Sequence, residues 1–249
     1  MNIIMLSGKA RVGKTWLAKV IAEYSFNSGQ IPVLLSFATA IKDAAFELKG
    51  LTKENNPEEY RLFCQKYGKQ KRDEDKDYWV DIMLDELKDI KAQEMEDLEE
   101  KKKHWERVVI IDDARYMNEV ALGRTVNAIH LFLSCGKRLL ADHDAAWRND
   151  PSEEMANLVE CNDKNYSEVF EYIVVNDESK EDLIRGIAEW FPVWCGLKPK
   201  GMDKDSEECD CEICKAKRNG THPDVDKVIE EFLDQLIQRL EGEDDEEDP

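Results

Sequence analysis

Ile3-Ile4-Met5-Leu6-Ser7-Gly8-Lys9-Ala10-Arg11-Val12-Gly13-Lys14-Thr15 runs from an apolar strand into a phosphate-binding loop. Gly8 to Thr15 fit the pattern G-x-x-x-x-G-K-[ST], and Trp16-Leu17-Ala18-Lys19-Val20-Ile21 continues as a helix. Strand, loop and helix in that order are the context this motif requires. Its glycines let backbone N–H groups wrap a phosphate, and the helix N-terminus adds positive potential. The loop therefore predicts a bound nucleoside triphosphate. Its candidate contacts are Gly8, Lys9, Arg11, Val12, Gly13, Lys14, Thr15 and Trp16. Lys14 is expected to reach the β- and γ-phosphates, and the Thr15 hydroxyl to hold Mg²⁺.

Other apolar runs extend the pattern. Pro32 to Phe37, Arg107 to Asp113, Ala128 to Leu133 and Phe170 to Asn176 read as strands. Helical stretches lie between them, at Ala40 to Leu48, Glu58 to Tyr67, Trp79 to about Trp105 and Lys180 to Trp190. Alternating strands and helices predict an α/β, doubly wound and mostly parallel sheet, the P-loop NTPase fold. Pro32 to Phe37 is apolar on both faces, which suits a buried parallel strand. The expected layout is a nucleotide-binding domain over 1–198, a Cys/His cluster over 199–222, an amphipathic helix over 223–241 and a disordered acidic tail over 242–249.

Composition narrows the partners. The chain has 249 residues, 42% hydrophobic and 36% charged, with a net charge of −20. A field of that sign repels nucleic acid and anionic membranes, so phosphates must be captured by local cations. There is no signal-peptide pattern and no membrane-length apolar run, which predicts a cytoplasmic protein. Seven cysteines in such a chain point to reduced thiols or a metal site, not a disulfide framework.

Val108 to Ile111 end in Asp112 and Asp113. A carboxylate at the end of an apolar strand steadies the Mg²⁺ shell in phosphate-loop enzymes. Adjacent strand residues point to opposite faces, so one of the two is expected to aim at the metal.

From Asp113 onward, the chain resembles a family. Asp113-Ala114-Arg115-Tyr116-Met117-Asn118-Glu119-Val120 is similar to the D-V-R-F-x-N-E segment of phage-type deoxynucleoside monophosphate kinases. Ser36 to Lys42 resembles that family's F-A-x-x-L-K segment. Gln65 to Gly68, Arg72 and Tyr78-Trp79-Val80 resemble its Q-x-x-G … R … W-V segment, and His143 with Ser152-Glu153 its H-x-S-E segment. The blocks keep the family's order over roughly residues 1–190. Met117 stands where the family usually has Pro, and an insertion, Ala145 to Pro151, separates His143 from Ser152.

The resemblance implies transfer of the γ-phosphoryl group of MgATP to a nucleoside or deoxynucleoside monophosphate. Two phosphates must be brought into line, with cations on both sides of the transferred group. Lys14, Asp113, Arg115 and Arg138 are the expected catalytic groups. Lys42, Gln65, Tyr67, Arg72, Trp79, Arg148 and Glu153 are the expected acceptor contacts. Within that set Lys42 and Arg72 face the acceptor phosphate, Tyr67 and Trp79 frame its base, and Gln65 reads the base edge. Arg138 and Arg148 flank a polar loop that would close as a lid. His143 has no expected catalytic role, since phosphoryl transfer of this type needs no histidine base.

Cys209, Cys211 and Cys214 followed by His222 supply three thiols and an imidazole, a donor set for structural Zn²⁺, with Cys195 as a substitute ligand. A reduced, metal-free loop is the alternative. Val225 to Leu240 carry an apolar stripe at helical spacing, which docks on its own domain or forms the seam of a homodimer. A different class of function stays open on sequence alone: a nucleotide-regulated interaction protein, binding ATP at the loop and a partner through the C-terminal module.

Overall fold

A computed structural model describes residues 1–101, 106–134, 154–160, 170–176 and 183 of the chain. The chain divides into two compact units, Met1–Asp177 and Glu178–Pro249, and the fold described here is that of the first. Arg138, His143, Arg148, Glu153, the helix expected at Lys180 to Trp190 except for Leu183, the Cys/His cluster with Cys195, the apolar stripe and the acidic tail all lie outside the described residues.

In chain order the elements are β1 (Asn2–Gly8), α1 (Lys14–Asn27), β2 (Ile31–Leu35), α2 (Thr39–Lys49), α3 (Pro57–Glu74) and α4 (Tyr78–Lys101). There follow β3 (Arg107–Ala114), α5 (Met117–Thr125), β4 (Ile129–Ser134), α6 (Glu154–Glu160) and β5 (Tyr172–Val175). The five strands form one sheet in the order β2-β3-β1-β4-β5, and every pairing is parallel. β1, the strand that leads into the phosphate loop, is central, and Ile4, Met5 and Leu6 are fully buried.

Strand alternation sorts the core into two faces. Ile3, Met5, Val109 and Ile111 pack with Phe37, Ile41, Trp79, Met83 and Leu87, under α2 and α4. Ile4, Val108 and Ile110 point to the other face, where α1 packs along β2 and β3. Helices on both faces of a parallel sheet make this a doubly wound α/β fold of the P-loop NTPase type. A second cluster joins Val120 of α5 and Phe132 of β4 to Met155, Ala156 and Val159 of α6.

β2 departs from its expected burial. It is the sheet edge, and Leu34 is 52% exposed, so its apolar run is only half-covered. α3 is longer than its apolar pattern indicated. Asn56 caps it by accepting from the Glu59 amide, Pro57 occupies its first turn, and it continues to Glu74 on a polar surface. α5, which hydrophobic periodicity does not reveal, is nucleated by one carboxylate. Glu119 accepts from the amides of Arg115 (2.8 Å) and Tyr116 (3.1 Å), satisfying donors that the helix leaves open at its start.

Candidate active site

The carboxyl ends of β1 and β3 lie side by side, and in open α/β sheets ligands bind outside such strand ends. Gly8 ends β1 with φ of 138°, and a side chain there would run into the backbone carbonyl of Leu133 on β4. Arg11 and Gly13 also have positive φ, at 63° and 101°. Repeated left-handed positions curl successive amides toward one point, which is the geometry of an anion nest. Gly13 is the N-cap of α1, so the helix N-terminus faces the same point. Lys14 is buried, and its ammonium donates to the carbonyls of Gly8 and Lys9, both at 2.7 Å. Those bonds span the loop and hold the cation over it.

Of the two aspartates at the end of β3, Asp112 is the one that meets Thr15. The Thr15 hydroxyl donates to Asp112 Oδ2 at 2.9 Å across 97 positions of chain. Asp113, the next residue, turns to a different partner. Its Oδ1 accepts from the amide of Phe37 at 2.8 Å and its Oδ2 from the amide of Ala38 at 3.2 Å, at the start of α2. An irregularity in register separates the two roles. Met5 pairs with Ile111 and Ser7 with Ala114, so β3 carries an extra residue where the two aspartates lie. Bulges of this kind re-aim side chains next to sites. Burial and the neighbouring Asp113 raise the pKa of Asp112, against the Thr15 hydrogen bond and the charges of Lys42 and Lys14. A hydroxyl and a carboxylate oxygen are hard donors that suit Mg²⁺, which keeps most of its shell as water and phosphate oxygens. Among the described residues no group of three or more His, Cys, Asp or Glu side chains is placed to hold a metal by itself.

Beside this end of the sheet, a cleft of about 510 Å³ opens between α2 and α3. Lys42 and Gln65, both expected at an acceptor, line it. So do Lys53 and Arg61, which the sequence reading missed, with Tyr60 and Cys64. Arg61 lies four residues before Gln65, on the same face of α3, and that spacing is the signal that would have found it. Burial raises the pKa of Cys64, outweighing the Tyr60 hydrogen bond and Lys42.

Three expected acceptor contacts lie elsewhere. Trp79 is 3% exposed and donates from its indole nitrogen to the Gly68 carbonyl at 3.1 Å. With Tyr78 and Tyr67 edge-on to it, it is a core residue and not a platform for a base. Tyr67 stacks on Phe63 at 5.4 Å between ring centroids. Arg72 donates to Glu119 Oε1 at 3.1 Å and to the Gly68 carbonyl at 3.2 Å, and lies 4.0 Å from the Tyr116 ring centre. Its guanidinium is thus engaged in joining α3 to the start of α5, not directed into the cleft. Burial raises the pKa of Glu119, opposed by the Arg115 amide and by Arg72. Arg115 follows β3 directly, and its amide is held by Glu119.

No helix among the described residues is long and apolar enough to cross a membrane. No family model matches the chain, and no curated protein matches it. Solved structures do. A shikimate kinase from Acinetobacter baumannii in complex with shikimate is 14% identical, with a TM-score of 0.41, over 80% of this chain and 96% of that one. A shikimate kinase from Bacteroides thetaiotaomicron is 16% identical, with a TM-score of 0.36, over 76% and 97%. A dephospho-CoA kinase from Campylobacter jejuni is 12% identical, with a TM-score of 0.44, over 79% of this chain and 99% of that one.

Proposed function

We propose that this chain is a kinase that transfers the γ-phosphoryl group of MgATP to a nucleoside or deoxynucleoside monophosphate. One observation carries the reading. The phosphate loop, with Thr15 bonded to Asp112, shares a sheet end with a cleft lined by Lys42, Lys53 and Arg61. In a chain of net charge −20, three cations against one carboxylate, Glu58, around one cleft are a local exception that favours an anionic acceptor.

The donor half rests on the loop amides and Lys14, which bind and orient the β- and γ-phosphates. Mg²⁺, held by Thr15 and Asp112 partly through water, would neutralise charge on the transferred group. On the acceptor side, Lys42 and Arg61 would take the monophosphate and Gln65 the edge of its base. Arg115, just past the Asp112–Asp113 pair, would place a cation near the transferred phosphoryl. Arg138 and Arg148 would close over both phosphates and exclude water, which separates a kinase from an ATPase.

The test is ADP release with MgATP and the common ribo- and deoxyribonucleoside monophosphates in turn. Turnover is expected to depend on one or a few of them. If ATP binds and no monophosphate is phosphorylated, the kinase reading fails and a nucleotide-regulated interaction protein replaces it.

A further inference from the structure

Asn176 immediately follows β5, which among the described residues is the edge strand at the opposite side of the sheet from β2. Its backbone amide donates to the Ser134 carbonyl at 2.7 Å, which extends the β4–β5 ladder and fixes the residue. Its side-chain amide donates to the Val12 carbonyl at 2.9 Å, across 164 positions of chain, and the residue is 7% exposed. Val12 lies in the middle of the phosphate loop, with its side chain fully buried. Gly13, next to it, is the α1 N-cap, and a Cβ on it would sit 3.1 Å from the Asn176 amide nitrogen. The glycine therefore serves two ends at once, its own left-handed backbone and the approach of Asn176.

A loop that turns its amides toward an anion turns carbonyls away from it, and a buried carbonyl needs a donor. For Val12 that donor comes from outside the loop, on a strand that is itself anchored. We infer that Asn176 is a positioning residue for the donor phosphates. It holds the back of the loop so that the amides of Gly13, Lys14 and Thr15 are pre-aimed at the β- and γ-phosphates. Asn176 touches neither substrate; it acts through Val12. The inference rests on the proposed use of the loop to bind ATP, but not on the identity of the acceptor.

The experiment uses the full chain. ATP binding is titrated directly with a fluorescent ATP analogue for wild type, Asn176→Asp and Asn176→Ser. The isosteric Asn176→Asp has no donor when ionised and sets a charge behind the nest. It is expected to weaken ATP binding at least tenfold, with the KM for the monophosphate changed less than twofold. Asn176→Ser keeps a shorter donor and is expected to fall between the two. Hydrogen exchange over residues 8–15 without nucleotide should rise in both variants. Unchanged ATP affinity in Asn176→Asp overturns the inference. So does an equal loss of ATP and acceptor affinity that tracks the fall in melting temperature, since that marks a merely structural role. If Asn176→Asp does not fold, Asn176→Ser decides alone, and wild-type affinity and exchange in that variant overturn the proposal. Absence of any phosphorylated acceptor defeats the monophosphate kinase reading and leaves the ATP titration interpretable.

Discussion

The Thr15 hydroxyl donates to Asp112 at 2.9 Å, tying the first turn of α1 to the end of β3. The bond brings together the two oxygen groups that the proposed function assigns to Mg²⁺. If they act as one site, Thr15→Val and Asp112→Asn should each raise the Mg²⁺ concentration needed for half-maximal turnover, by about tenfold or more. The double variant should be no worse than the poorer single one, because residues acting as a unit are not additive. Mg²⁺ titrations at saturating ATP check this. Independent, multiplying losses would separate the two residues.

Arg72 gives a prediction about stability where the sequence suggested one about substrate. Its partner Glu119 is 2% exposed, and it also receives the amides of Arg115 and Tyr116. Arg72→Ala leaves that carboxylate buried without its cation, and breaking such a pair costs about 3 kcal/mol. Arg72→Lys should recover only part of the loss, since an ammonium does not reproduce the planar stack on Tyr116. Urea unfolding of Arg72→Ala, Glu119→Gln and the pair tests it. The double variant should be more stable than the sum of the two losses predicts. Simple additivity would mean that the pair contributes no coupling.

Legibility followed sequence distance. The loop from Gly8 to Thr15 and the strand that carries Asp112 and Asp113 are local patterns, and both stand where their spacing put them. Lys42 and Gln65 also reach one cleft. Trp79, Tyr67 and Arg72 make contacts within the fold that no local pattern foretells, for a common reason. An aromatic ring or a guanidinium is equally suited to packing and to binding, and only tertiary placement decides. The Trp79 indole found the Gly68 carbonyl, and Arg72 found Glu119. The split between Asp112 and Asp113 depends on a register shift against β1 that no single strand encodes. Asn176 carries no local signal, because its meaning lies in Val12, 164 positions away.

His130 predicts a pH dependence of stability. It is 2% exposed on β4, both ring nitrogens have no hydrogen-bond partner among the described residues, and α5 presses Gly123 against it. Burial lowers its pKa to about 4; Glu171 opposes the shift and Arg124 adds to it. Between an unfolded pKa of 6.5 and a folded one of about 4, the unfolded chain binds more protons. Stability from this residue is therefore fully present above pH 6.5 and lost as pH falls toward 4, in total about 3 kcal/mol. His130→Asn removes the titration. Its stability, measured by urea unfolding, should drop less between pH 7 and pH 4 than that of the wild type by about that amount. Parallel curves would show that the imidazole does not titrate differently on unfolding.

Asp113 separates the two halves of the proposed site. Both of its oxygens accept backbone amides, from Phe37 and Ala38, and Ala38 lines the cleft one turn before Lys42. The Lys42 amide in turn bonds the Ala38 carbonyl at 3.0 Å, so the position of Lys42 is inherited from the turn that Asp113 holds. Asp113→Asn keeps one good acceptor and should cost about 1 kcal/mol of stability, while Asp113→Ala, which leaves both amides unmet, should cost about 2–3 kcal/mol. With the cleft loosened, the KM for the acceptor should rise severalfold in Asp113→Asn while the Mg²⁺ requirement stays at its wild-type value. Asp112→Asn should show the converse. The comparison is direct because the two side chains are neighbours on one strand and differ only in where the extra residue of β3 aims them. An Asp113→Asn enzyme with a raised Mg²⁺ requirement and an unchanged acceptor KM would return Asp113 to the metal.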